Sequence, residues 1–365
     1  MHAQVLALAR AGAEPLLLCH GSASPPPAGI ACLRVPAAFS PRRTRAGPSA
    51  AKLVADPALA ALVLRAHRRR PFDALLAHNA EAALVALALR PILRRPVLYV
   101  VHTLWGEELE CYLPASFAGA ASAVGVRLDR ALAARADGVL VLSEAASERL
   151  APFARGPLRV IPPGLEPAAP PARADRERAC ARAGVRQGAF ALYAGNLDRY
   201  QDLDALERAA QGVPELPLLV ATHEATPPRR GALRFVRVAD ADEARALAFA
   251  AAVAVLPRRR PGGFPIKLLN YMEAARPIVA HRGVAEGLEH AVSAWLLEPD
   301  AGSDTLAAAL RTLAADPALA GRLGARARAV LAERHAWPAL AERTLALVAA
   351  TLPGSRAVPG PPKRR

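Results

Sequence analysis

The stretch richest in chemistry runs from Gly263 to Val279 and reads Gly-Phe-Pro-Ile-Lys-Leu-Leu-Asn-Tyr-Met-Glu-Ala-Ala-Arg-Pro-Ile-Val. An apolar run ending at Pro257 precedes it, so the segment reads as strand, loop, helix and further strand. Gly263, Phe264, Pro265 and Ile266 fall at the loop-to-helix junction, where backbone N–H groups lack intrahelical partners and can face an anion. Proline is tolerated there because its missing N–H is not needed. Lys267 stands in the first helical turn, where its charge opposes the helix dipole, and it is the sole lysine between Lys52 and Lys363. A cation kept at an electrostatically poor position implies an anionic ligand, and a diphosphate suits the junction. The ordinary alternative is a solvated lysine on an amphipathic helix, and the surrounding sequence weighs against it.

That segment resembles the donor-binding loop and helix of family 4 glycosyltransferases, in which a Gly-Phe turn leads into a helix ending in a Met-Ala-Ala-Gly-Lys-Pro-Val-like stretch. Further matches fall at the expected intervals: His102 after the strand Val97–Val101, Arg135-Ala136-Asp137 before a strand ending at Ser143, and Ile161-Pro162-Pro163-Gly164. The resemblance covers nearly the whole chain. It implies the α/β GT-B architecture, two Rossmann-like domains facing each other across a cleft, and retaining transfer from a nucleoside-diphosphate sugar. Neither a metal nor a further cofactor is expected, the nucleotide sugar being a co-substrate.

The turn Tyr193-Ala194-Gly195-Asn196-Leu197-Asp198-Arg199-Tyr200-Gln201-Asp202-Leu203 corresponds to the first strand and turn of the family's donor domain. Its usual Arg and Lys align with Asn196 and Gln201, so Arg199, which can grip phosphate with a bidentate fork, would have to substitute. The family's two glutamates, eight positions apart, align with Gly262 and Asn270. Asn270 can hold the nucleotide ribose through its amide, whereas Gly262 cannot replace the sugar contact. His102 aligns with a histidine lining the sugar pocket, and its place at the C-terminal end of a parallel strand favours a catalytic role over a structural one. Glu107 and Glu108, which follow it, are candidates for the acceptor side.

Two Asp-x-Asp pairs, Asp202/Asp204 and Asp240/Asp242, invite a metal site. Both begin helices, where Asp caps free N–H groups, and residues two apart on a helix point to different sides. Cys19, Cys32, Cys111 and Cys180 are scattered without metal-ligand spacing, which favours reduced, mostly buried thiols.

The elements that must position these residues follow from apolar periodicity. Strands are expected at Pro15–Cys19, Asp73–Ala77, Val97–Val101, Gly138–Leu142 and Leu158–Ile161, with helices near Pro57–Arg69, Ala80–Leu89, Gly125–Arg135 and Glu144–Pro152. The pattern restarts with strands at Ala189–Ala194, Pro217–Ala221, Leu233–Val236, Ala251–Leu256 and Pro277–Ala280, and helices near Leu203–Ala210, Asp242–Phe249 and Ile266–Ala274. Late helices near Thr305–Ala314, Pro317–Glu333 and Trp337–Thr351 complete it. This alternation divides the chain into an acceptor domain over 1–165, a linker and domain start over 166–188, a donor domain with the C-terminal helices over 189–352, and a disordered basic tail over 353–365. The pattern opens on helix one and strand two, so the first domain is expected to lack the strand that is central in the usual order.

A formal net charge of +15 raises nucleic-acid binding, but the arginines are spread throughout with few lysines, and no aromatic platform accompanies them. No nucleic-acid partner is expected; a basic face holding the protein against anionic lipid, where a lipid-linked acceptor would sit, is. Apolar runs reach only about a dozen residues against the roughly 20 that a membrane helix needs. The expected protein is cytoplasmic, at the inner face of the plasma membrane, and moves a sugar to a glycan, lipid-linked or small-molecule acceptor in cell-envelope polysaccharide or glycoconjugate synthesis. The rival reading is a non-catalytic relic of the same fold that binds nucleotide sugar or glycan without turnover.

Overall fold

Five consecutive apolar residues, Val97–Val101, form a strand buried at every position, as a parallel strand covered on both faces must be. In the computed structural model, which describes residues 2–21, 25–40, 50–112, 115–198, 200–225, 231–259 and 263–354, such strands build two compact units. One comprises Met1–Pro163 with Trp337–Arg365, the other Gly164–Ala336.

The first unit opens with α1 (His2–Arg10), β1 (Leu16–Cys19) and β2 (Ala31–Arg34). Next come α2 (Ala50–Arg69), β3 (Leu75–His78), α3 (Asn79–Leu93) and β4 (Val97–Val101). Then follow α4 (Trp105–Tyr112), α5 (Ala115–Arg135), β5 (Gly138–Val141), α6 (Glu144–Leu150) and β6 (Leu158–Val160). All strand pairs are parallel, in a sheet of order β3-β4-β5-β6 and a separate pair β1-β2. Asp137 ties the sheet's entry together, its carboxylate accepting the Val97 N–H at 2.9 Å and an Arg90 N–H at 3.2 Å. Cys19 and Cys32 on the paired strands bring their Sγ atoms to 3.7 Å, and burial with the Cys32 contact pushes the Cys19 thiol up to about 11.

The second unit contains α7 (Arg173–Ala183), β7 (Ala191–Ala194), α8 (Leu203–Gly212), β8 (Leu218–Thr222), β9 (Leu233–Arg237) and α9 (Ala241–Ala250). It continues with β10 (Val253–Leu256), α10 (Lys267–Glu273), β11 (Ile278–His281), β12 (Trp295–Leu297), α11 (Ser303–Ala315) and α12 (Pro317–Arg334). Its parallel sheet has the order β12-β11-β10-β7-β8-β9. Leu206, Val220, Val253, Val279 and Leu310 belong to one buried cluster, in which α8 and α11 close over the same side of the sheet. Asp202 and Asp240 each cap a helix, accepting from Ala205 N and Glu243 N at 2.9 Å.

Several elements differ from the sequence reading. The last helix, α13 (Trp337–Ala349), was assigned to the second domain by its position in the chain; it belongs to the first unit, where Ala341 and Leu345 pack with Ala7 and Leu8 of α1. The stretch read as linker contains α7, which the apolar pattern misses because its face toward the unit is narrow, Ala179 and Cys180 being the buried positions. The strands β2 and β12 and the helix α4 were also not anticipated, the strands being too short for a period to register and α4 being interrupted by three glutamates. Most of the basic tail, 355–365, lies outside the described residues.

Glu273, at the end of α10, is 3 % exposed and binds Arg245 of α9 through two N–H···O contacts of 2.7 and 2.9 Å. The same carboxylate accepts the Ala168 N–H at 3.1 Å, while Arg245 donates to the Ala168 carbonyl at 3.0 Å. One buried ion pair thus holds the chain's entry into the second unit against α9 and α10. Replacing Glu273 with Ala strands the guanidinium and should cost about 3 kcal/mol, read as a lowered denaturation midpoint of the second unit.

Candidate functional site

In the second unit β7 leaves the sheet toward β8 and β9 on one side, while β10, β11 and β12 lie on the other. The point between β7 and β10 is therefore where strand order reverses, and the carboxyl ends of strands at such a point form a ligand crevice. The turn 195–201 follows β7 and the segment from Pro257 follows β10. They are joined by the Asp202 N–H donating to the Pro257 carbonyl at 2.9 Å and by an Arg259–Asp202 ion pair of 2.6 Å.

Lys267 reaches from the first residue of α10 into this crevice. Its Nζ donates to the Tyr193 hydroxyl at 2.8 Å and sits 4.5 Å from the Tyr193 ring centroid. The hydroxyl in turn donates to the Asn196 carbonyl at 2.6 Å. Beside them Tyr271, fully buried, accepts the Ala194 N–H at 2.8 Å and so fixes the end of β7 against α10. Gly195 makes this approach possible: a Cβ there would lie 2.6 Å from Lys267 Nζ.

Burial, followed by the charge of Arg258, lowers Lys267 to about 7 from the ordinary 10.5, with Asp198 opposing the shift weakly. Arg258 is only 8 % exposed and lies 5.4 Å from the Tyr200 ring centroid. The desolvated Lys267 amine, with the charge of Arg258 acting on it, is a condition that an anionic ligand relieves.

The residues anticipated from sequence take distinct places around this lysine. Gly195, Asn196 and Gln201 share the turn, but the Asn196 amide donates to Asp198 and Tyr200 and its oxygen accepts from Gln201, so both side chains serve the turn itself. Gly263, at φ +70°, and the buried Phe264 and Pro265 lead into α10, with the Phe264 ring tilted against that of His335 at a centroid separation of 5.4 Å. Ile266 is 53 % exposed and Asn270, one turn along, is also exposed. Because α10 has only seven residues, the Lys267 charge has to outweigh any contribution from the helix dipole. Arg199 and Gly262 lie outside the described residues. Arg258 and Tyr193 were not singled out by sequence reasoning, although the cations at 258, 259 and 260 next to a strand end were a usable signal.

In the first unit His102 follows β4, and His78 ends β3 beside it. His102 Nε2 lies 2.8 Å from His78 Nδ1, so one ring donates and the other accepts. Burial depresses both imidazoles, to about 4 for His102 and, with His102 adding to the effect, to about 3 for His78. Both are neutral at physiological pH, and the contact couples their tautomers, since whichever facing nitrogen carries the proton the other must accept it. The expected strand had stopped at Ala77, which is why His78 went unremarked. Of the acceptor-side candidates, Glu108 accepts from Thr103 Oγ1 at 2.6 Å and Glu107 pairs with Arg149 of α6. The N-terminus of α4 that carries them is capped by Asp129, whose carboxylate accepts from Trp105 N and Gly106 N at 3.1 and 2.9 Å.

No helix of the described residues is long and apolar enough to cross a membrane. Comparison with curated protein sequences finds no significant match. The family model described as Glycosyltransferase Family 4 matches residues 1–169, and that described as Glycosyl transferases group 1 matches residues 190–316. Among solved structures the chain is similar to a sucrose-phosphate synthase from Thermosynechococcus elongatus, with a TM-score of 0.73 at 21% identity, covering 94% of this chain and 90% of that one. It is similar to HepE of Anabaena in complex with UDP-glucose, with a TM-score of 0.67 at 18% identity, covering 91% and 99%. A glycosyltransferase from Rickettsia africae gives a TM-score of 0.70 at 12% identity over 97% and 95%. The structural likenesses establish the fold and the two models span most of the chain: it belongs to the family 4, group 1 glycosyltransferases of the GT-B fold.

Proposed function

We propose that the second unit binds the diphosphate of a nucleoside-diphosphate sugar through Lys267 and Arg258, and that the enzyme passes the sugar, with retention of configuration, to a glycan, lipid-linked or small-molecule acceptor. The observation that carries this reading is Lys267, held out of water beside Tyr193 and Gly195 at the strand switch point. A diphosphate seated there meets a desolvated amine on which the charge of Arg258 also acts, so its charge is stabilised as the glycosidic bond breaks and the nucleotide leaves. Chemistry of this kind needs positioning and charge more than a covalent intermediate. It is consistent with a metal-independent transferase, the diphosphate being neutralised by side chains.

Asn270, exposed on α10 one turn beyond Lys267, is placed for the nucleotide ribose. In the first unit His102, neutral and oriented by His78, offers the transferred sugar a hydrogen bond without adding charge. Glu107 and Glu108 then belong to the acceptor side. Since HepE of Anabaena was captured with UDP-glucose, uridine nucleotides are the first donors to test. A net charge of +15 supports attachment to anionic lipid on the cytoplasmic face, where envelope glycan precursors are assembled.

A panel of UDP-, GDP- and ADP-sugars with mixed acceptors tests the proposal: release of one nucleoside diphosphate names the donor, and binding without release marks a relic. Lys267→Ala should weaken donor binding about 10- to 100-fold, as loss of a charge-assisted phosphate contact does, when nucleotide affinity is measured calorimetrically. In the wild type, donor affinity should be flat below pH 7, where Lys267 is already protonated. Above pH 7 it should fall by up to about tenfold per pH unit, because binding must then take up a proton. His102→Ala should lower kcat by about 10- to 100-fold while leaving the nucleotide Kd within about twofold, in steady-state assays paired with titrations.

A further inference from the structure

Asp129, on α5 of the first unit, is 3 % exposed, a depth at which a carboxylate has to be hydrogen-bonded to stay ionised. Both of its hydrogen bonds go to one short stretch of chain. Its Oδ1 accepts the Trp105 N–H at 3.1 Å and its Oδ2 the Gly106 N–H at 2.9 Å, the first two amides of α4. We propose that Asp129 is a positioning residue for the acceptor: through these amides it sets the segment Trp105 to Glu108, directly after His102, in the arrangement that recognises the accepting molecule. The inference rests on the reading of that segment as the acceptor side.

Helix α5 holds the start of α4 through the backbone as well as by charge. Ser122 Oγ donates to the Gly106 carbonyl at 2.6 Å, so the N–H and the C=O of Gly106 are both bound to α5. A Cβ on Gly125 would lie 2.5 Å from the carbonyl carbon and oxygen of Trp105, and one on Gly106 would lie 2.5 Å from Val126 Cγ2. Two glycines therefore let the helices meet at backbone distance. Only Thr103 and Leu104 separate His102 from α4, and Leu104 is buried, its carbonyl accepting from the Glu107 and Glu108 N–H groups at 3.0 Å. The link is fixed by β4 at one end and by Asp129 at the other. Glu108 is held in turn by Thr103 Oγ1, and Glu107 by Arg149 of α6. A shift of the start of α4 moves both carboxylates together, and a misplacement of about 1 Å at a reacting pair can cost on the order of 100-fold in rate.

This grip needs the ionised form. A carboxylate accepts at both oxygens, whereas the neutral acid turns one oxygen into a donor facing an N–H, and that amide loses its partner. Burial raises the Asp129 carboxyl from 3.8 to about 6, the Gly106 and Trp105 N–H groups opposing the shift and Glu108 of α4 adding to it. On β4, Tyr99 stays protonated, pushed up by burial and then by Asp129, Glu81 of α3 and Glu108. The Arg149 charge of α6 is engaged by Glu107. His102 and His78, at about 4 and about 3, are neutral throughout the range in which Asp129 changes charge, and Lys267 is already protonated there.

Asp129→Asn keeps the volume of the side chain but leaves one acceptor oxygen and sets an NH2 group against the second amide. With the donor and acceptor that the panel above selects, at about pH 7 and saturating donor, this variant should raise the acceptor KM at least about tenfold. It should leave the nucleotide Kd within about twofold and speed amide exchange at Trp105 and Gly106 at least about tenfold. In the wild type, kcat/KM for the acceptor should fall as pH drops below 6, by up to about tenfold per unit, and Asp129→Asn should lack this acid limb. Ser122→Ala removes one neutral contact to the same peptide and should give the same pattern at about two- to fivefold, which serves if Asp129→Asn does not fold. Unchanged exchange at the two amides, or an acid limb that persists in Asp129→Asn, overturns the positioning role. Faster exchange with an unchanged acceptor KM instead overturns the assignment of α4 to the acceptor side. Exchange needs no turnover, so it decides whether Asp129 grips α4 even where the panel shows binding without release, and acceptor Kd then takes the place of KM.

Discussion

An ammonium group is kept out of water only where something compensates for its lost hydration, and around Lys267 the compensation within the protein is incomplete. A hydroxyl, an aromatic face and a weakly opposing aspartate surround the charge, while Arg258 adds to the repulsion. A fall from 10.5 to about 7 corresponds to a differential interaction on the order of 5 kcal/mol. The rest of the second unit is arranged so that this unfavourable position persists. Gly195 leaves room for the amine, Tyr271 locks the end of β7 to α10, and the Glu273–Arg245 pair anchors the far end of α10. The local cost is met by the fold and recovered when an anion arrives.

The two units place their polar groups by the same device. In each, the residues at or just beyond the carboxyl ends of buried parallel strands carry the chemistry: His78 ending β3 and His102 after β4, Tyr193 in β7 with the turn that follows it, and Arg258 after β10. The electrostatic outcomes differ. In the first unit burial leaves a pair of neutral imidazoles bonded to one another, whereas in the second it leaves a desolvated amine with the charge of a second cation acting on it. A neutral hydrogen-bonding pair suits a sugar hydroxyl, and a cationic pair suits a phosphate.

Much of this was legible in the residues. Runs such as Val97–Val101 and Val253–Leu256 announce parallel strands because both faces are buried, and Lys267 stood out because a lysine is rare in this chain and poorly placed at a helix start. Periodicity could not show that α13 folds back onto α1, since membership of a unit is a tertiary property with no local signature. It missed α7 because charged residues crowd a helix with only two buried positions, and His78 because the apolar run ends one residue before the strand does. Alignment puts Asn196 and Gln201 where the family's cations stand; their amides are hydrogen-bonded within the turn, and the cation whose charge bears on Lys267 is Arg258. Which polar atoms remain available after a turn has closed is settled by geometry that residue types do not encode.

The central claim is that Lys267 is a desolvated amine awaiting a diphosphate, and the chain's composition makes it directly measurable. With only Lys52, Lys267 and Lys363 present, competitive acylation with a small reagent across pH, read by peptide mass, resolves each amine separately. The account predicts that Lys267 titrates near 7, well below the other two, and that a bound nucleotide sugar suppresses its labelling. Titration of Lys267 near 10.5, with labelling indifferent to every nucleoside diphosphate, would contradict it.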